Sequence, residues 1–305
     1  MIKYLTNSEI DREKWDECIK TSINPLIYAS SWYLDKVCPK WHALVEDDYL
    51  SVFPLIWNKK FGFAYLFQPF FTQQLGLFSS TESKLVLMDF LEHLPKKFRY
   101  IEISLNEKND VQPGPFLVSW KTTHHLNLMP AYGQLREQYS ENTRNSLAGA
   151  ESETLSILHD DRYSELIQLF RENLGKQIKK VQARHFLQLQ SIMEESIQKG
   201  LGEVISAYTE GGDYCAGAFF INSCNRYIYL FSSTNAVSRK NGAMFAILDK
   251  FIHDHSGRDV FLDFEGSDLK GLAHFFRGFG AQAIKYPAII KNNLPPIIRK
   301  MKPGA

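Results

Sequence analysis

The sequence predicts an α+β protein in which helices alternate with mostly antiparallel strands. In the second half of the chain, two amphipathic helical patterns, Ser164 to Asn173 and Phe186 to Lys199, precede three strand-like runs that are separated by turn residues. The chain has 305 residues, enough for two domains of ordinary size or one large one. Its 44% hydrophobic and 23% charged residues are typical of a folded globular protein.

The first section of the chain is predicted to mix helices and strands. Apolar residues at helical spacing indicate the helices, whereas β-branched and aromatic runs with turn-rich flanks indicate the strands. The predicted helices are Asp11 to Lys20, Ser30 to Val37 and Ser80 to His93, and the predicted strands are Trp41 to Val45, Ser51 to Trp57, Ala64 to Phe67 and Tyr100 to Ser104. The polar segment Asn106 to Pro115, which contains Pro and Gly, indicates the approach to a domain boundary.

The second section begins near Thr122 and repeats the mixture. Ala131 to Ala150 is predicted to be helical with an interruption at Ser140, and Gly200 is expected to end a later helix. The predicted helices that follow are Ser164 to Asn173, Phe186 to Lys199, Asn241 to His253 and Asp268 to Arg277. The predicted strands are Glu203 to Tyr208, Tyr214 to Ile221, Tyr227 to Phe231, Asp259 to Phe264 and Ala283 to Ile290.

The charge and the apolar runs exclude several classes of function. Lys and Arg exceed Asp and Glu by 35 − 34 = +1, so no global attraction to DNA or to a membrane surface is expected. The N-terminal residues lack an apolar signal core, and the run Phe61 to Phe71 is far shorter than the roughly 20 residues that span a bilayer. We therefore expect a cytoplasmic protein without stable membrane insertion. The four cysteines form no CxxC pair, so we expect buried thiols and no metal site.

Two acidic residues lie at the end of a predicted strand near the C-terminus. Asp263 and Glu265 flank Phe264 and precede a Gly266-Ser267 turn, and strand alternation places both on one face. If burial raised the pKa of either carboxyl towards neutrality, it would serve as a general base for an amine. The alternative is structural: Asp263 bonds a neighbouring loop, and Glu265 accepts from N–H groups of the turn.

The loop Asn235 to Ala243 joins a predicted strand to a predicted helix. Unpaired N–H groups at the helix start, together with the glycine, would cradle an anion such as a pyrophosphate, and two cations would add charge. The residues in question are Arg239, Lys240, Asn241, Gly242 and Ala243. The alternative is an ordinary helix start with a solvated basic turn.

Two further polar segments are candidates for substrate binding. Arg144 and Asn145 lie in Ser140 to Asn145, where the arginine would clamp a carboxylate or phosphate; the alternative is an exposed arginine or one that ties two domains together. Uncharged amides in Phe67 to Leu77 suit a hydrogen-bonding pocket wall; the alternative is an irregular, well-packed loop. These amides are Gln68, Gln73 and Gln74.

Taken in order, these segments resemble Fem-type acyltransferases, which are tandem GNAT-like proteins. The segments that carry the resemblance are Phe67 to Leu77, Ser140 to Asn145, Arg239 to Met244, Asp263-Phe264-Glu265-Gly266-Ser267 and His274 to Ala281. The resemblance implies two GNAT-like domains, each a mixed, mostly antiparallel sheet flanked by helices. They would cover residues 1–122 and 123–287, with 288–305 packed back on the first.

The resemblance also implies an activity. It implies transfer of an acyl group from a thioester, with acyl-CoA as co-substrate, to a small-molecule or peptide amine. The loop at Asn241 and Gly242 would hold the pyrophosphate, and Ser232, on the strand Tyr229 to Ser233, would help to align the thioester. The family members that use aminoacyl-tRNA commonly carry Phe-Lys where this chain has Phe275-Phe276, so a tRNA partner is disfavoured. An aminoacyl-tRNA-dependent enzyme and a catalytically silent binding module are the alternatives.

Overall fold

A computed structural model of the chain describes residues 1–80, 83, 86–112, 114–175, 181–235, 241–266 and 270–299. The chain divides into unit 1, Met1–Thr122 with Lys285–Ala305, and unit 2, Thr123–Ile284. Helices and large mixed sheets alternate, so the predicted α+β class is confirmed. The assignment of each unit to a separate GNAT-like domain remains a prediction.

The elements are numbered in chain order. The strands are β1 (Ile2–Leu5), β2 (His42–Glu46), β3 (Ser51–Leu55), β4 (Trp57–Lys60), β5 (Phe63–Phe67), β6 (Phe78–Ser79), β7 (Phe98–Ser104), β8 (Leu117–Asn127), β9 (Ser156–Asp160), β10 (Gly202–Tyr208), β11 (Tyr214–Ser223), β12 (Arg226–Thr234), β13 (Phe261–Gly266) and β14 (Gln282–Asn292). The helices are α1 (Arg12–Thr21), α2 (Ser31–Val37), α3 (Leu87–Glu92), α4 (Tyr132–Glu137), α5 (Glu141–Ser152), α6 (Tyr163–Phe170), α7 (Ala183–Gln198), α8 (Ala243–His255), α9 (Lys270–Arg277) and α10 (Pro296–Arg299).

Unit 1 contains two sets of strands. β1, β2, β3 and β6 form an antiparallel sheet in that order, and β4, β5, β7 and β14 follow one another in a second sheet. β5 runs parallel to β7, and Ala288 to Asn292 of β14 pair antiparallel with β7. Helix α1 shows how the sequence builds the core: Asp11 caps its N-terminus, and Trp15, Cys18 and Ile19 bury one face.

Unit 2 is built on one sheet with the strand order β8, β13, β12, β11, β10, β9. All neighbouring pairs are antiparallel except β12 and β13, which run parallel. Helix α8 buries Ile247, Leu248 and Phe251 completely, and the Phe251 ring stacks on Phe220 of β11 at 4.0 Å between centroids. α5 packs against α8, so the start of α8 lies between the sheet and a second helix.

Three of the four cysteines are buried, as expected, and none of the four forms a disulfide. Cys224 is the exception: it is exposed in the turn between β11 and β12, where its φ is +58°. The expectation that all four are buried is wrong at this position, because a two-residue turn leaves its side chains in solvent.

Candidate functional site

The parallel pairing of β12 with β13 ends before either strand does. Three residue pairs are in register, the last being Ile228 with Asp263, yet β12 continues to Thr234 and β13 to Gly266. Among the described residues, no ladder pair joins the two strands beyond that point. We call the ends Tyr229–Thr234 and Phe264–Gly266 the fork.

A β-bulge lies at the start of the fork. Phe219 of β11 opposes Phe231 of β12, and the next residue, Phe220, opposes Tyr229, so Leu230 is an extra residue in β12. A bulge of this kind bends its strand and increases the local twist. The bulge therefore redirects β12 where its pairing with β13 stops.

Aromatic side chains from three elements surround the fork on the side of α8. Tyr229 is buried, its hydroxyl lies 3.1 Å from the Met244 sulfur, and its ring makes edge contacts with Phe264 and Phe276. Burial raises the pKa of Tyr229, and a hydrogen bond with Ser232 offsets this in part. The Tyr229 hydroxyl is therefore neutral at physiological pH. Its partner Ser232 is the residue that the sequence analysis predicted to help align the thioester donor.

Asp263 is held by four neighbours. Its Oδ1 accepts from the Thr123 hydroxyl (2.5 Å) and from the backbone N–H of Glu265 (2.9 Å). Its Oδ2 lies 3.2 Å from Arg226 Nη1 and 3.3 Å from His125 Nε2.

This environment determines the ionisation of Asp263. Burial acts to raise the pKa of Asp263, but the hydrogen bond and charge of His125 and the charge of Arg226 outweigh it, so the pKa lies below the ordinary value. The predicted rise of the pKa towards neutrality is wrong for this residue, because the sheet brings the Arg226 guanidinium and the His125 ring to the buried carboxylate. Asp263 is an ionised anchor, but its side-chain partners lie on the strands β8 and β12 and not on a neighbouring loop, as the structural alternative expected.

Glu265 differs from Asp263 in backbone and in exposure. Its φ is +60°, and the β13–β8 register is irregular between Asp263 and Gly266. This irregularity interrupts the strand alternation from which Asp263 and Glu265 were predicted to lie on one face. Glu265 is half-buried at the tip of β13 and stays a predicted catalytic residue.

The start of α8 is determined by its contact with α5. Gly242 is the N-cap of α8 with φ +74°, and a Cβ built there would lie 2.2 Å from the Ser146 carbonyl oxygen. The buried Asn241 side chain accepts from the Ala243 N–H at 3.2 Å, so one predicted pyrophosphate donor already has a partner. Arg239 and Lys240 lie outside the described residues.

The segment that opens α5 is anchored to the end of α9. The Ser140 hydroxyl caps the helix by accepting from the Thr143 N–H (3.1 Å), and both residues donate to the Gly278 carbonyl. Arg144 and Asn145 are exposed, and their side chains contact no other described residue by hydrogen bond or ion pair. Their substrate-binding role stays a prediction, and an exposed arginine on a helix remains the alternative.

The three predicted glutamines lie in unit 1, in the loop after β5. Gln68 donates to a carbonyl of the same loop (2.7 Å) and accepts from the Ser104 N–H (3.0 Å). Gln74 accepts from the Glu107 N–H (2.9 Å) and donates to Gln73 (2.6 Å). Gln68 and Gln74 therefore use their amides to hold the loop together, which agrees with the packed-loop alternative and leaves little of either amide for a substrate.

Unit 1 also has a parallel strand pair, but its end is occupied by the chain itself. β5 pairs with β7 as far as Phe67 and Glu102. Beyond that, the Leu75 N–H donates to the Ser104 carbonyl (2.9 Å), and Leu75 forms a parallel bridge with Leu105. The loop after β5 thus continues the pairing along the end of β7.

Within the described parts of the chain, no group of three His, Cys, Asp or Glu side chains is arranged to hold a metal ion. The helices described also include none with the length and apolar character needed to cross a bilayer.

Comparison with known proteins gives matches in structure only. No protein-family profile matches the chain, and no curated protein sequence matches it. FemX is 12% identical with a TM-score of 0.65, over 98% of this chain and 99% of FemX. A conserved protein of unknown function from Bacteroides thetaiotaomicron is 14% identical (TM-score 0.63, 95% and 100% covered). L-PGS from Bacillus licheniformis is 11% identical (TM-score 0.58, 95% of both chains covered).

These likenesses extend over nearly the whole of this chain and of each matched chain. They confirm at the level of the fold the resemblance that the sequence motifs carried. The chain therefore shares the fold of FemX and of L-PGS.

Proposed function

We propose that the protein is an N-acyltransferase that moves an acyl group from a thioester, with acyl-CoA as the donor, to an amine. The observation that supports this most is the fork. The edge of β12 beyond Ile228 faces no paired strand among the described residues, so a thioester chain can lie along it and bond to backbone groups. Such preorganised donors stabilise the charge that develops on the carbonyl oxygen during attack.

The transfer balances without a further co-reactant. The amine nitrogen forms a bond to the carbonyl carbon, the carbon–sulfur bond breaks, and the sulfur leaves as a thiolate that takes up a proton. The nitrogen loses its proton to a base. Most of the acceleration comes from holding the two reactants together, which is how an enzyme without a covalent intermediate gains rate.

Side chains at the fork fit these steps. Ser233 of β12 is buried, and its hydroxyl has no hydrogen-bond partner among the described residues. A buried hydroxyl without a partner costs free energy, and a donor chain in the fork would give it one. Glu265 stands at the tip of β13 and is the half-buried member of the acidic pair, so we assign the proton-accepting role to Glu265 rather than to Asp263.

Replacing Glu265 by Gln is expected to lower kcat/KM by about a hundredfold or more, because general bases contribute on the order of 10²–10⁴ to such rates. Thiol release from acetyl-CoA in the presence of a panel of primary amines measures this. The control is Glu210→Gln, since Glu210 is exposed in the turn between β10 and β11. Equal rates for the wild type and Glu265→Gln would remove Glu265 from the mechanism.

A second donor class is supported by one observation. Because Asn241 holds the Ala243 N–H, the start of α8 offers one donor fewer to a pyrophosphate. This favours an acyl donor without a nucleotide diphosphate, such as an aminoacyl-tRNA. Calorimetry with coenzyme A and transfer assays with each donor separate the two, and a folded protein that is inactive with both would be a binding module.

A further inference from the structure

Unit 1 has a cavity of about 620 Å³ that none of the functional assignments above uses. It lies between α3, the loop that follows it, the start of β7 and the segment Pro115–Phe116. Its floor is apolar and buried, and is formed mainly by Leu91, Phe98, Ile101 and Phe116. A cavity of this size and lining is typical of small-molecule sites.

The rim of this cavity carries an excess of positive charge. Lys96, Arg99 and Lys291 line it together with one carboxylate, Glu92. None of the four side chains forms an ion pair within the part of the chain that the structure describes. The whole chain has a formal charge of only +1, so this concentration of cations is local.

One cation–π contact joins a cation of the rim to the apolar floor. The Lys291 Nζ lies 4.9 Å from the centre of the Phe116 ring, which holds the ammonium at the border between the apolar floor and the charged rim. The rim therefore carries three positive charges and one negative charge, and an anion bound there would reduce the repulsion among the cations. The floor below it would bury an apolar chain.

We infer that this cavity binds a small monovalent anion with an apolar chain, such as a medium-chain carboxylate. The head group lies among Lys96, Arg99 and Lys291, and the chain lies on the aromatic and aliphatic floor. This inference does not rest on the acyl transfer proposed above, because it uses none of the fork residues.

Isothermal titration calorimetry of the full chain with decanoate tests the proposal. Lys291→Met keeps the stem over Phe116 and removes the charge, and Arg99→Gln removes the second charge. We expect each to weaken decanoate binding by about threefold to fivefold, as one solvent-exposed charge contact contributes. Glu92→Gln is expected to tighten binding by a similar factor, and raising the salt concentration is expected to weaken it.

Lys20→Met serves as the matched control, because Lys20 is exposed at the end of α1 and does not line the cavity. Its affinity for decanoate is expected to equal that of the wild type. The proposal is overturned if decanoate shows no saturable binding, if decyltrimethylammonium binds as tightly, or if both charge-removing variants bind like the wild type.

Discussion

Replacing Gly242 by alanine is expected to lower the free energy of unfolding by about 3 kcal/mol. Two costs add at this position. The left-handed conformation, φ +74°, costs an alanine about 1 kcal/mol, and overpacking against a neighbouring element adds about 1–3 kcal/mol. The neighbour here is the backbone oxygen of Ser146, only 2.2 Å from the added Cβ, so α5 must move away from α8.

Gly257 provides a matched control for this prediction. Its φ is also +74°, but a Cβ built there meets nothing within 4 Å. Gly257→Ala should therefore show the conformational cost alone, about 1 kcal/mol. Urea denaturation of both variants measures the difference, and equal losses at the two positions would show that the contact with α5 is not tight.

The expected loss of stability in Gly242→Ala limits the use of this variant as a test of ligand binding at the start of α8. A glycine that precedes a helix suggests a phosphate site, and its substitution would normally be used to test that site. Here the glycine also serves the packing of α5 on α8, so a Gly242 variant is expected to lose stability whether or not the site binds a ligand. Asn241→Ala is the better probe, because it frees the Ala243 N–H for a ligand.

Local signals in the sequence predicted most of the elements correctly. The interruption at Ser140 is real: α4 ends at Glu137, and Ser140 caps α5. The predicted stop at Gly200 follows the end of α7, and the glycine has φ +67°. Caps, glycines and helical periodicity act within a few residues, so they can be read from a single chain.

The partners of Asp263 could not be predicted, because they depend on a strand that the sequence did not reveal. No strand was predicted over β8, because the predicted boundary segment ends at Pro115, the second section was expected to begin near Thr122, and the residues of β8 lack clear alternation. Thr123 and His125 lie on β8, and Arg226 lies at the start of β12. Only the sheet register brings these three to one carboxylate, so the sequence could place the acid but not its charge environment.

The fork itself was partly foreseen. The resemblance to Fem-type proteins implies that the strand Tyr229 to Ser233 aligns the thioester, and in the structure the last residue of β12 that pairs with β13 is Ile228. The bulge at Leu230 leaves no local sequence signal, because it depends on which residues of β12 pair with Phe219 and Phe220 of β11. The donor and the acceptor depend on surfaces that neither periodicity nor capping encodes.

Replacing Asp263 by Asn is expected to lower the free energy of unfolding by about 3–5 kcal/mol, because it removes the negative charge that faces the buried Arg226 guanidinium. The Arg226 side chain is only 4% exposed and the Asp263 side chain 1% exposed, so water cannot take over the interaction. Chemical denaturation at neutral pH measures the loss. Asp213→Asn, in the exposed turn between β10 and β11, is the control and should change stability by less than about 0.5 kcal/mol.

The same variant also tests the charge of Asp263 through pH. A carboxyl whose pKa is lowered on folding contributes stability above its unfolded pKa of about 3.9, and that contribution is lost as the pH falls through its folded pKa. The gap in stability between wild type and Asp263→Asn should therefore narrow as the pH is lowered below about 4. In addition, Arg226→Met combined with Asp263→Asn should cost less than the sum of the single changes, by about 1–3 kcal/mol. If the difference in the free energy of unfolding does not change with pH, and if the two single changes are additive, Asp263 acts only through its shape and hydrogen bonds. The end of β13 next to Glu265 would then carry no buried charge.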